Sequence, residues 1–338
     1  MQQPNRRRFL FCAAGGLGAA ALGGAFLGGD PQWPIVTRTT KALGTEVSIV
    51  ARHPSPQRAE RAMEAAFSRL AFLEQLLSIY LPTSAISRLN REGEFRQPFR
   101  DVVTILRHAQ EMSRRSGGAF DVTVQPLWEV FASAAKESRL PEPAAVAAAR
   151  AKVDWTQLEV GDDRVRVLQP GMKITLNGIA QGYAADSLLH TLRAFGVEHA
   201  LINAGEHAPL GQSAAGDDWT VGIQHPRHAD AYVALADLGG RCLATSGDYA
   251  TAFSADRRYN HIFDPRSGYS PTELASVSVL APTAMQADAL STALFVLGPD
   301  QGLELVHRTP NTDAFFVLKE GGTIATAGFP LVEEGRSA

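Results

Sequence analysis

The segment Ala284 to Leu297, AMQADALSTALFVL, carries one charge, Asp288, in a run of apolar and small residues. A carboxylate inside so apolar a helix is costly unless it is paired or holds a cation. Thr292 stands one helical turn further on, on the same face. Two hard oxygens stacked in this way suit Mg²⁺ or Ca²⁺, with further oxygens from backbone carbonyls, water and a substrate phosphate. An Asp paired with an Arg, and a Thr bonded back to its own helix, also account for the segment. Taken alone, that account is the simpler one.

Four other clusters hold chemical groups. In Tyr259-Asn260-His261-Ile262-Phe263-Asp264-Pro265-Arg266-Ser267-Gly268, a strand is expected to carry His261 into an Asp-Pro turn closed by Gly268. His261 is a general-base candidate near neutral pH, or a bystander on a capped turn. Asn177 to Tyr183, NGIAQGY, falls at a strand-to-helix junction. Free backbone groups there can meet phosphate or metal, or the glycines can simply allow close packing. Gly117 to Thr123, GGAFDVT, offers Asp121 and nearby amides to a ribose or an adenine edge, or is a helix stop followed by an Asx turn. Thr245-Ser246-Gly247-Asp248 reads as a turn after a strand.

The elements that must position these groups follow from periodicity. Ser55 caps an amphipathic helix with Ala59, Ala62, Met63, Ala66, Phe67, Leu70, Leu73 and Leu77 on one side. Further helices are expected over residues 101–116, 144–151 and 179–195, the last stopped by Gly196. Thr283 and Gln286 form a capping box that opens the Asp288 helix, which ends before Gly298-Pro299. Strands are expected near residues 47–51, 158–160, 165–168, 173–176, 200–203, 219–224, 232–238, 259–263 and 275–280, with a last pair across 313–326. Strands and helices mix without strict alternation, which predicts an α+β fold: mixed or antiparallel sheets covered by helices.

Composition narrows the classes. The chain has 338 residues and a net charge of -3, with no basic stripe or acidic tail, which argues against nucleic acid as a partner. Of the two cysteines, Cys12 lies near the N-terminus and Cys242 stands alone in the body, so there is no disulfide framework and no cysteine metal site. Residues 1–29 stand apart. Asn5-Arg6-Arg7-Arg8-Phe9-Leu10-Phe11 precedes an uncharged, glycine-rich apolar stretch. The pattern predicts a twin-arginine export signal and a periplasmic protein, with an uncleaved membrane anchor as the alternative. Residues 30–338 then form the functional domain.

The clusters gain meaning from their order. LGTEVSIVA (43–51), SIYLPTSAISRLN (78–90), SGGAFDVTVQPLW (116–128), ITLNGIAQGYAADSLL (174–189), ATSGDYATAF (244–253), YNHIFDPRSGYSP (259–271) and APTAMQADALSTALFVLG (281–298) follow one another along the chain. The series resembles the ApbE family of FAD:protein FMN transferases over about residues 40 to 328. The HxxDPxxG and ADxxxTA stretches are its most specific parts.

The resemblance implies α/β lobes around a flavin cleft. It implies an Mg²⁺ site from Asp288, Thr292 and a backbone carbonyl near Gly178. It implies FAD contacts from Leu43, Tyr80, Ala119, Phe120, Asp121, Thr175, Gln181 and Ile262, with Tyr80 stacked on an aromatic ring. It implies that FMN passes from FAD to a Thr or Ser hydroxyl of a client flavoprotein, with His261 taking the proton and AMP leaving. Clients of the family are flavin-carrying subunits of exported or membrane electron-transfer systems. The sequence departs from the family pattern at Gln181, where Lys or Glu is frequent, at Thr175, where Asp is frequent, and at Asn203-Ala204-Gly205-Glu206-His207, in place of a Gly-Gly-acid stretch. Gln181 and the twin-arginine signal resemble the NosX branch, which serves nitrous oxide reductase maturation with NosR as client. Two other functions stay open: an exported flavin-binding assembly factor without turnover, and an Mg²⁺-dependent FAD pyrophosphatase.

Overall fold

A tight hairpin opens the fold. In the computed structural model, which describes residues 33–332, strands β1 (Ile35–Ala42) and β2 (Thr45–Arg52) pair antiparallel. Leu43 and Gly44 turn the corner at φ 51° and 77°. Two residues at positive φ make the turn whose twist matches its strands. The twin-arginine segment read above lies outside the described residues.

The chain continues through α1 (Pro56–Leu77), α2 (Ala85–Glu92), β3 (Glu94–Arg96), α3 (Arg100–Arg115), α4 (Gln125–Lys136) and α5 (Pro143–Arg150). Next come β4 (Leu158–Val160), β5 (Arg164–Val167), α6 (Ala180–Ala194), β6 (His199–Asn203), β7 (His207–Leu210), β8 (Thr220–Gln224) and β9 (Tyr232–Asp237). The order closes with β10 (Cys242–Gly247), β11 (Leu274–Ala281), α7 (Ala284–His307), β12 (Asp313–Leu318) and β13 (Thr323–Ala325).

The main sheet has eight strands in the order β1-β2-β6-β7-β10-β11-β12-β13, every neighbouring pair antiparallel. A three-stranded sheet, β3-β5-β4, and the β8–β9 hairpin stand beside it. One face of the main sheet joins α1, α6 and α7 in the principal core. The other face packs Leu243, Ala275, Leu280, Phe315 and Val317 against Val221, Ile223, Ala236 and Leu238 of the hairpin region. The central strand β11 is therefore buried along its whole length.

Helix α7 runs between the sheet and α6 and is buried on nearly all sides, as its even hydrophobicity foretells. Its first turn is held twice. Thr283 Oγ1 accepts from the Gln286 N–H at 3.2 Å. The Asp186 carboxylate, from α6, accepts from the Ala284 and Met285 N–H groups at 2.9 Å each. An acid at a helix N-terminus satisfies its free donors and meets its positive end. The helix breaks at Gly298 (φ 75°, ψ 179°), where the sequence placed its end, and restarts at Pro299.

A third core holds the segment that carries His261. Phe131 of α4 is fully buried, its ring 5.1 Å from that of Phe263, 5.6 Å from Phe253, 6.0 Å from Tyr259 and 6.1 Å from Tyr269. Truncation of Phe131 to Ala is expected to cost about 3–5 kcal/mol in unfolding free energy, readable from a denaturant midpoint, because it removes the ring at the centre of a buried aromatic cluster.

Three expectations are corrected. Residues 173–176 form no strand; Lys173 makes a single parallel bridge to Val124. Residues 259–263 form a loop with one bridge, Asn260 to Ala252, because the buried Asn260 and Ser270 side chains take over the backbone hydrogen bonds that a ladder would supply. Thr245, Ser246 and Gly247 are not a turn. They are the last residues of β10, paired with Ser278, Val277 and Ser276.

Candidate active site

Helix α7 meets the start of α6 at a contact only glycine permits. A Cβ on Gly182 would lie 2.2 Å from the Ala284 carbonyl oxygen. The approach lets the Gly182 N–H, in the first turn of α6, donate to Asp288 Oδ2 at 2.9 Å. Asp288 is only 4% exposed, and among the described residues it has no Arg or Lys partner. The salt bridge that the sequence left open is not made. Burial pushes its carboxyl up to about 7; the Gly182 N–H works against the rise and the Asp186 anion adds to it.

Thr292 faces the loop before α6. A Cβ built on Gly178 would come 2.9 Å from Thr292 Oγ1 and 3.4 Å from the Phe120 ring. The Ser246 hydroxyl lies 3.3 Å from Thr292 Oγ1 and 2.8 Å from Ser291 Oγ. Ser291, not Thr292, bonds back to the Asp288 carbonyl, at 2.9 Å. The fold thus gathers Gly178, Asp288 and Thr292 from a loop and one helix face. Among the described residues no three His, Cys, Asp or Glu side chains cluster. Carboxylate, hydroxyl and carbonyl oxygens are what the centre offers, the donor set of a hard divalent cation rather than of zinc.

Sequence reasoning missed one member. Glu206, in the turn between β6 and β7, is 5% exposed, and its Oε2 has no hydrogen-bond partner. Burial raises its carboxyl well above the usual range, and the Asp288 anion raises it further. The visible signal was the departure of residues 203–207 from a Gly-Gly-acid stretch. Nothing in the sequence tied it to Asp288 on another element.

His261 is held by its neighbours. Its N–H donates to the Thr251 carbonyl at 3.0 Å, and Nδ1 lies 3.3 Å from the same oxygen. A carbonyl only accepts, so Nδ1 carries the proton and Nε2 keeps a free lone pair. Burial pulls the imidazole below its ordinary value, opposed by the Thr251 hydrogen bond and the Asp248 charge. Asp248 itself is buried and neutralised by Arg227, at 2.7 and 2.9 Å, and by Lys319, at 3.1 Å. The Asp264 turn closes through the Gly268 N–H at 2.8 Å, and Arg266 pairs with Asp264 at the surface.

The remaining residues lie in different settings. Phe120 packs beside Gly178 and Thr292, and Ala119 and Ile262 are buried. Thr175 bonds through its N–H to the Val122 carbonyl at 2.8 Å, and the Gln181 side chain lies against Gly205. Leu43, on the β1–β2 turn, donates its N–H to Glu74 at 2.7 Å. Tyr80 is 58% exposed, edge-on to Trp128 at 6.4 Å, an open aromatic platform. Asp121 is committed to its own loop: Oδ1 accepts from the Thr123 N–H and hydroxyl at 2.7 and 2.6 Å, and Oδ2 from the Trp155 N–H at 3.1 Å. Burial nonetheless lifts its carboxyl to about 6.

Known proteins share this fold. The model of the ApbE family matches residues 43–316. A Klebsiella pneumoniae protein named FAD:protein FMN transferase is 32% identical over 332 residues, covering 92% of this chain and 93% of its own. The crystal structure of the ApbE protein of Thermotoga maritima superposes with a TM-score of 0.79 at 29% identity, covering 87% of this chain and 97% of that one. The flavinyl transferase ApbE of Pseudomonas stutzeri gives 0.74 at 31% identity, covering 87% and 95%. The fold is that of the flavin transferases, and the protein is an enzyme of that class. Within the class, the chain belongs to the ApbE family.

Proposed function

We propose that this protein transfers FMN from FAD to a Thr or Ser hydroxyl of a client protein and releases AMP. The observation that carries the reading is the buried Asp288, without a cationic partner among the described residues, beside Thr292 and Gly178. Those residues fit Mg²⁺, with Asp288, the Thr292 hydroxyl and the Gly178 carbonyl as its protein oxygens. When bound, Mg²⁺ would neutralise the FAD diphosphate.

The chain's own groups account for the rest. The client oxygen attacks the phosphorus that bears riboflavin, and its proton passes to His261 Nε2. The bond from that phosphorus to the bridging diphosphate oxygen breaks, and AMP leaves with the electron pair. Thr251 orients the imidazole, and burial keeps it neutral and ready to accept. Tyr80 offers the flavin a stacking face. Leu43, Ala119, Phe120, Asp121, Thr175, Gln181 and Ile262 are the further FAD contacts that family membership supports. For Asp121 the contact falls to the loop it organises.

The client proposed is a NosR-type membrane flavoprotein, supported by Gln181 and by the twin-arginine pattern of Arg6 to Arg8. The same pattern supports export to the periplasm, with residues 1–29 as signal or anchor.

Purified protein, FAD, Mg²⁺ and the client domain are the test. Covalent FMN on one client Thr or Ser, with an equal amount of AMP, is expected by mass spectrometry and chromatography. Free FMN and AMP formed at full rate without client would make it a pyrophosphatase. Retained FAD with no AMP under any condition would make it a carrier. A further prediction concerns Gly178→Ala, whose methyl must displace Thr292 Oγ1. Its Mg²⁺ affinity is expected to fall by roughly tenfold or more in calorimetric titration, as for other changes that misplace a ligand.

A further inference from the structure

We propose that Glu206 is a second carboxylate ligand of the cation centre, opposite Asp288, so that this chain takes up a hard divalent cation before any nucleotide arrives. The inference rests on the cation reading of Asp288 and adds a residue to it. Glu206 is almost fully buried, yet its Oε2 finds no hydrogen-bond donor. Among the described residues, no Lys or Arg pairs with either acid. An unpaired buried carboxylate is among the costliest arrangements in a protein, and two within reach of one another compound the cost. A cation held by both offsets it.

The surroundings place Glu206 at the centre. The β6–β7 turn that carries it presses on α6, where Gly205 meets the Gln181 side chain. The turn is fixed by the Ala204 N–H, which donates to the Glu206 carbonyl at 3.0 Å. Strand β10 touches both halves of the site. The Thr245 backbone N–H faces the Glu206 carboxylate, and the next residue, Ser246, puts its hydroxyl 3.3 Å from Thr292 Oγ1. The groups that act on Glu206 are the Asp288 anion and the Thr245 N–H, neither of them cationic. With one carboxylate, a cation leans on substrate phosphate for charge. With two, the protein alone supplies enough to bind it, since affinity at oxygen sites rises with the number of charged ligands.

Mn²⁺ alone is the probe, titrated into flavin-free full-length protein and followed by electron paramagnetic resonance and by the shift in melting temperature. Wild type is expected to bind without nucleotide. Glu206→Gln, which keeps the shape, should weaken Mn²⁺ at least tenfold, shrink the thermal shift and raise the melting temperature of the metal-free protein. Asp288→Asn should also lose Mn²⁺. Should Glu206→Gln bind within twofold of wild type while Asp288→Asn does not, Glu206 is no ligand and the cation reading survives. Should Asp288→Asn bind as wild type, the cation reading fails with it. Glu206→Asp, which keeps the charge one methylene further back, should fall between wild type and Gln, whereas unchanged affinity in both variants overturns the proposal.

Discussion

Replacing Asp288 with Asn is expected to lower the rate of FMN transfer by about 1,000-fold or more, a loss of the size seen when a group that stabilises developing charge is removed. The substitution changes one oxygen to an amide and leaves the volume of the side chain alone. The Gly182 N–H, now donating at 2.9 Å, can still meet the remaining oxygen, so α6 and α7 should keep their contact. What disappears is a negative charge where the pocket has no other use for one. The measurement is covalent FMN on the client, followed with time by mass spectrometry at saturating Mg²⁺. Transfer at the wild-type rate would remove Asp288 from the chemistry and leave it as a cap on the first turn of α6.

The second large effect is expected at His261. Truncation to Ala should slow transfer by about 100- to 10,000-fold, the range ascribed to one general base, while FAD still binds. Binding is spared because the loop is anchored by Asn260, Ser270 and the Phe131 cluster rather than by the imidazole. The pH profile supplies an independent check. The neutral ring accepts the proton, and burial holds its proton affinity below the ordinary histidine value. The rate should therefore stay flat as pH drops from 8 to about 6.5, and fall only on further acidification. In the Ala variant that acid limb should vanish. A wild-type rate that halves near the ordinary value or above it would mean that the proton goes elsewhere.

Much of this site could be read from residue types and order, and the reasons for the remainder are physical. The Asp288 helix was legible because its cap, its even hydrophobicity and its Gly-Pro stop are all local signals. The α1 helix was legible for the same reason, down to Ser55, which caps it by accepting from the Arg58 N–H. Strand β10, Cys-Leu-Ala-Thr-Ser-Gly, hid behind residues that favour turns, and only its pairing with β11 makes it a strand. Residues 259–263 failed in the opposite direction. Tyr-Asn-His-Ile-Phe has strand-like composition, but a buried Asn and a buried Ser satisfy the backbone without a partner strand. Helix α4 was missed although Pro126 sits in its first turn, where proline is at home. Glu206 shows the sharper limit. An orphaned oxygen has meaning only when everything around it is known.

The wrapping of α7 sets how the enzyme can move. Sheet on one side and α6 on the other leave that helix no room to slide or turn without opening the principal core. Any gating that admits a bulky protein substrate must then come from the periphery, at the β1–β2 corner and the Tyr80 segment, since the His261 loop is itself anchored. In the proposed reaction, the fixed floor on α7 would hold the diphosphate and the rim would meet the client. Relatives serving different clients should accordingly diverge at the rim and agree at the floor.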